Sequence, residues 1–206
     1  MKILNISTKT ILILSFFLVA FVPLMAQTTN YGTNSGTGGN DNSNFGDAAG
    51  QNTTGDENTF IGYNAGKSNT SAVRSTFMGS QTGLDNTGQR NAFFGSLAGF
   101  SNVGGTNNVY LGFYAGYNST TGSRNVYIGK DAGIHNFTGS DNVFIGFGSG
   151  KDETGSHKLY IDNNYNATPL IYGDFSSDKL GINTKNFVTS LGSKDLSAYN
   201  LSSINI

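Results

Sequence analysis

The chain of 206 residues carries 12 Lys and Arg against 13 Asp and Glu, a net charge of -1, so nothing in its electrostatics invites nucleic acid or an acidic membrane surface. With 29 Gly, 2 Pro and no Cys it must be stable without disulfides. Only a regular pattern distinguishes such a composition from that of a disordered segment.

At the start of the chain Lys2 and Lys9 precede an almost unbroken apolar run, Ile11–Leu24, followed by Met25, Ala26 and the polar Gln27. This predicts a secretory signal peptide over residues 1–26, cleaved after Ala26. The run falls short of the roughly 18 residues of a membrane span, so no integral membrane segment is expected after cleavage. No cysteine follows it, which excludes a lipid anchor. Residues 27–41 are Gly, Asn and Thr with one aromatic, Tyr31, and predict a flexible linker.

A repeat occupies residues 42–157. Asn125-Val126-Tyr127-Ile128-Gly129 has near copies at Asn58–Gly62, Asn108–Gly112 and Asn142–Gly146. Taking the apolar residue before the motif glycine as anchor (Phe45, Ile61, Met78, Phe94, Leu111, Ile128, Ile145, Ile161), the intervals are 16 or 17 residues. A period that short cannot enclose its own core, so each copy must be one coil of an all-β, parallel β-roll or β-solenoid. At about 4.8 Å per layer, eight layers give a rod on the order of 35–40 Å long.

Two glycines recur in each coil as turn residues: Gly62 and Gly66, Gly79 and Gly83, Gly95 and Gly99, Gly112 and Gly116, Gly129 and Gly133, Gly146 and Gly150. Before each anchor from Ile61 onward an aromatic residue stands: Phe60, Phe77, Phe93, Tyr110, Tyr127, Phe144, Tyr160. Side chains alternate along a strand, so this column faces away from the anchor column, and both faces are apolar. Two strands of about five residues per coil make a thin core. Either the coil is thick enough to cover both faces itself or the second face packs against copies of the same chain, and the thin core favours the expectation that the stacked rings are covered by sister chains. Asn58, Ser75, Asn91, Asn108, Asn125 and Asn142 form a further column suited to an amide ladder. The position after the second glycine is apolar in the middle copies (Leu84, Phe100, Tyr117, Ile134) and polar at the ends (Gln51, Lys67, Lys151), as expected of capping coils.

With Ala132 and Gly133 following Asn125–Gly129, the motif resembles the head repeats of trimeric autotransporter adhesins, the YadA-type β-roll. The resemblance implies a left-handed coil, a homotrimer with apolar strands facing its axis, and a role in cell adhesion. Asn58–Gly66, the segment Leu159–Asn163, Pro169–Phe175 and Leu180–Asn183 are also similar to surface and tail-fibre-like repeat proteins of Bacteroidota. That likeness implies an outer-surface or extracellular location on a Gram-negative bacterium. The period is longer than in YadA-type heads, no heptad stalk follows, and the residues after Thr184 are too few for a membrane-anchor barrel.

Beyond the repeat, Pro169–Phe175 and Lys179–Asn183 predict a closing hairpin turned at Ser176-Ser177-Asp178, within a closing region over 158–184. Residues 185–206 form a tail of no assigned structure.

Chemistry is sparse. His135 and His157, the only two histidines, fall in turns without repeated partners, and Asp131, Asp141 and Asp152 share no column, so neither a catalytic group, a metal site nor a cofactor is expected. Neither 16 nor 17 fits the six-residue period of hexapeptide acyltransferases. Asn52, Asn69, Asn118, Asn136, Asn166 and Asn200 begin Asn-x-Ser/Thr triplets of the kind this composition produces by itself. The expected contact residues are the corners around Asn69, Asn86, Asn102, Asn118 and Asn136, offered to glycan, matrix or a neighbouring or host cell surface. The alternatives are a purely structural spacer or stem within a larger fibre and an ice-binding solenoid carrying its Thr-rich corner, although Ala72, Val103 and Phe137 interrupt that array.

Overall fold

The computed structural model describes residues 28–182 apart from 34, 37, 166 and 167. The expected signal peptide and the 185–206 tail lie outside the described residues. Eleven strands form one sheet in chain order: β1 (Thr28–Tyr31), β2 (Asn42–Phe45), β3 (Thr59–Ile61), β4 (Thr76–Met78), β5 (Ala92–Phe94), β6 (Val109–Leu111), β7 (Val126–Ile128), β8 (Val143–Ile145), β9 (Lys158–Ile161), β10 (Ile171–Asp174) and β11 (Lys179–Ile182). β1 to β9 pair in parallel, one strand per coil, and the aromatic column stays in register from Phe60 to Tyr160. β9, β10 and β11 are antiparallel and close the stack. The fold is a parallel β-solenoid with coils of about 17 residues.

Three expectations need correction. The described residues of the expected 27–41 linker form a further coil: β1 pairs with β2, Tyr31 stacks on Phe45 at 5.2 Å, and the Gly36 N–H donates to the Ala49 carbonyl. Low hydrophobicity concealed it, because this coil carries Asn30, and the next Asn44, where the coils from Phe60 onward carry a ring.

A coil does not contain two five-residue strands. It has one short strand, with the rest of the perimeter turning while still bonding to the next level: the Gly66 N–H donates to the Thr82 carbonyl and the Ser68 N–H to that of Leu84. Because the whole perimeter bonds from coil to coil, regular strand length is not needed for a closed wall.

The rings are also not covered by sister chains. Phe60, Phe77, Phe93, Tyr110, Tyr127 and Phe144 are fully buried inside their own coil. They stack along the axis, with Phe93 to Tyr110 at 4.6 Å and 3° and Tyr110 to Tyr127 at 4.8 Å. One ring is wide enough to fill so narrow a section, and burying it contributes about 1.5–3 kcal/mol per coil. Opposite lies the small column Ala49, Ala65, Ala98, Ala115 and Ala132, also fully buried. Gly133 shows why a glycine must accompany each ring. Its φ is 61°, and a Cβ there would lie 2.6 Å from the Tyr127 ring. At Gly129 the reason is the neighbouring coil, since a Cβ would lie 2.3 Å from the Gly146 carbonyl oxygen.

The asparagine column forms a ladder of a different kind from amide on amide. Asn125 Nδ2 donates to the Gly139 carbonyl (2.8 Å) and Asn125 Oδ1 accepts from the Asn142 N–H (2.9 Å). Asn108 and Asn91 repeat the pattern one and two levels earlier. Each side chain therefore replaces a main-chain strand interaction at the corner where the backbone turns away. At the far end Phe144, Tyr160 and Tyr172 abandon parallel stacking for edge-to-face contacts as the strands reverse. Lys158 and Asp174, opposite one another on β9 and β10, pair at 2.8 Å and tie the cap down.

Candidate functional site

Four of the five expected contact corners are interior. Asn69, Asn86, Asn102 and Asn136 are fully buried, eight residues after their anchors, and brace the corner from within. Asn86 Oδ1 accepts from Asn91 Nδ2 (2.9 Å), and Asn136 Nδ2 donates to the Glu153 carbonyl (2.7 Å). Asn118 is out of step by one position and is half-exposed. The residue in register there is Ser119, buried, whose small side chain admits the Tyr110 hydroxyl at 2.8 Å. Burial pushes the Tyr110 phenol up from its ordinary range, with the Ser119 hydrogen bond a smaller opposing effect. The signal was present in the sequence: a polar residue held at a fixed distance from the anchor belongs to the fold, whereas a contact residue is free to vary.

The threonine corner is likewise committed. Thr54, Thr87 and Thr120 hydroxyls each donate to a carbonyl of the next coil, so they do not form a free hydroxyl array. His135 pairs with Asp152 at 2.7 Å, and His157 lies 3.8 Å from Asp141, on which the Arg124 guanidinium sits in a two-pronged bond. Among the described residues no group of three or more His, Asp or Glu could hold a metal, and no helix is long and apolar enough to cross a membrane.

Two outward surfaces remain. The first is the outer face of the strands, where the anchor column and the column two before it run side by side. Ile61, Met78, Phe94, Leu111, Ile128 and Ile145 form one, and Thr59, Thr76, Ala92, Val109, Val126 and Val143 the other. No charge interrupts either. Met78 is 43% exposed, Leu111 48% and Val109 40%, and the others are half-buried by their neighbours. A two-residue apolar stripe along a whole rod is more than a solitary soluble surface usually carries.

The second surface lies past the motif glycine, where Tyr63, Ser80, Ser96, Phe113, Lys130 and Phe147 occupy the same place in successive coils. Main-chain bonds hold them in register: Gln81 N–H to the Tyr63 carbonyl, Leu97 to Ser80, Tyr114 to Ser96, Asp131 to Phe113. Phe113 is braced edge-on by Tyr114 at 4.1 Å, Tyr114 by Tyr117, and Tyr117 stacks on Phe100 at 5.0 Å. The middle-coil residues read from sequence as a capping pattern thus support a lateral cluster of rings. Comparison with family models, with curated proteins and with solved structures returned no match to this chain.

Proposed function

We propose that this chain is an exported, non-enzymatic surface or fibre rod that associates with copies of itself, as a homotrimer, and binds an extracellular ligand along its sides. The observation that carries the reading is the uncharged apolar stripe of the outer strand face, Met78, Val109, Leu111 and Ile128 among its members. The interior needs no partner, so this stripe is the surface that gains from one. Export rests on the apolar run Ile11–Leu24 and its lysines. A spacer or stem within a larger fibre is the second reading, favoured by the unbroken ring column from Phe60 to Phe144, which repeats like a strut.

The mass of residues 27–206 in solution tests the self-association. Three times the chain mass at micromolar concentration is expected. A monomer at all concentrations would remove the reason to bury the stripe and leave the spacer reading.

A further inference from the structure

In a solenoid every requirement of the fold recurs at each level, so a column whose residues change from coil to coil is not fixed by the fold and is open to other uses. The interior ring and the two glycines recur throughout the body, and the amide ladder at every level but that of Ser75. The column Tyr63, Ser80, Ser96, Phe113, Lys130, Phe147 does not recur. It places two large exposed rings, Tyr63 and Phe113, three levels apart with only two serines between them. At about 4.8 Å per level the rings are roughly 14 Å apart, and the serines form the floor of a notch between them.

Gln81 and Leu97, next along the chain, flank the floor, and Ser96 Oγ donates to the Ser80 carbonyl at 3.2 Å. No ring stands at the level before Phe113 in this column, so a flat ligand meets Ser96 rather than an aromatic neighbour. Nothing in the notch is charged.

The next gap in the same column is an internal contrast. Between Phe113 and Phe147 stands Lys130, whose ammonium lies 5.1 Å from the Phe147 ring centroid and 2.8 Å from Asp131 Oδ2. Tyr165 folds against Phe147 at 4.7 Å and donates to Asp131. That gap is filled and its charges are neutralised from within. The gap between Tyr63 and Phe113 is not filled by its own column.

We propose that this notch binds a neutral glycan, with sugar rings packed against Phe113 and Tyr63 and hydroxyls bonded to Ser80, Ser96 and Gln81. Aromatic walls satisfy the C–H faces of a pyranose, and a hydroxyl and amide floor satisfies its rim. An uncharged site favours an uncharged ligand, because an ionic one would lose hydration here without gaining a counter-charge. The inference rests on the ligand-binding reading above and gives it a place and a chemical class.

The test uses residues 27–206 against immobilised cellohexaose, xylohexaose, mannohexaose and chitohexaose, with heparin as the anionic control. The variants are Phe113→Ala, which removes a wall, and Ser96→Lys, which fills the notch as Lys130 fills the next one. Binding to at least one neutral hexasaccharide is expected, at least tenfold weaker in both variants, with thermal midpoint and solution mass unchanged. No neutral binding at millimolar sugar, equal binding by Ser96→Lys, or salt-sensitive binding to heparin alone would each overturn the proposal. A fall in solution mass with Ser96→Lys would overturn it too, by giving the notch to a second copy. Because mass is read separately, an intact trimer that binds no sugar would sink the glycan assignment without touching self-association.

Discussion

The two faces of one strand follow different rules. In β7, Tyr127 is fully buried and held between Tyr110 and Phe144, each 4.8 Å away. Its neighbours Val126 and Ile128 point outward and are only half-buried. The inward position is fixed by the coil's own width, which admits one ring and a facing glycine. The outward positions are limited only by β-propensity, so Thr59, Ala92 and Val126 all serve in one column. What the solenoid requires and what it leaves free to vary are separated by a single residue step.

The sharpest way to break that comparison is to place the same charge on both faces. Tyr127→Asp puts a carboxylate in a dry stack with no counter-charge and is expected to abolish the fold, read as loss of the far-ultraviolet strand signal. Ile128→Asp, one residue on, is expected to keep that signal and lower the solution mass. If Tyr127→Asp stayed folded and merely became monomeric, the ring column would face sister chains after all.

A smaller effect is expected from the corner ladder. Asn125→Ala leaves the Asn142 N–H and the Gly139 carbonyl buried without the partner they share. Each of the two orphaned groups costs about 1–3 kcal/mol, so a loss of roughly 2–6 kcal/mol in denaturant unfolding is expected. Asn118→Ala, outside the ladder and half-exposed, serves as the near-neutral comparison.

Much of this was legible beforehand. The 16–17-residue interval, the parallel register and the closing hairpin at Ser176-Ser177-Asp178 follow from periodicity and turn chemistry alone. The direction of the ring column was not legible, because a strand with two apolar faces gives no sign of which one closes inward. The width of the coil decides that, and the width is set by turns whose residues, Asn107, Arg124 and Asp141 among them, look like ordinary polar loop. The first coil is concealed for a related reason: Asn30 and Asn44 stand in the core column, where Asn44 Nδ2 donates a hydrogen bond to Asn30 Oδ1 at 2.9 Å in place of a ring stack. Asn69, Asn86, Asn102 and Asn136 stand at one distance from their anchors and turn inward, while Ser80, Ser96 and Phe113, in a column that varies, stay at the surface.

Alkali should distinguish the faces next. Burial pushes the Tyr110 and Tyr127 phenols well above their ordinary value near 10. A raised folded-state value means the stabilisation is fully present below pH 10 and is lost as pH rises beyond it, because only the unfolded chain ionises there. Unfolding free energy should then fall by about 1.4 kcal/mol per pH unit for each such phenol. Tyr110→Phe should remove one share of that slope, as followed by denaturant midpoints from pH 9 to 11.

The smallest effect concerns the corners that set the coil width. Glu57, Arg74, Arg90, Asn107, Arg124, Asp141 and His157 occupy one column, all with φ between 57° and 62°. A left-handed residue with a side chain costs roughly 1–2 kcal/mol, and glycine avoids it while losing about 0.5–1 kcal/mol more chain entropy on folding. Arg74 and Arg124 also carry ion pairs, to Glu57 and Asp141, that a glycine would delete. Arg90 is the exposed cation of the column with Arg74 on one side and the neutral Asn107 on the other. There the two backbone effects should show unmixed, so Arg90→Gly is expected to raise stability by about 0.5–1 kcal/mol. A loss instead would mean that the arginine side chain contributes more at its corner than the strain it imposes, and that the coil width depends on side chains as well as on backbone angles.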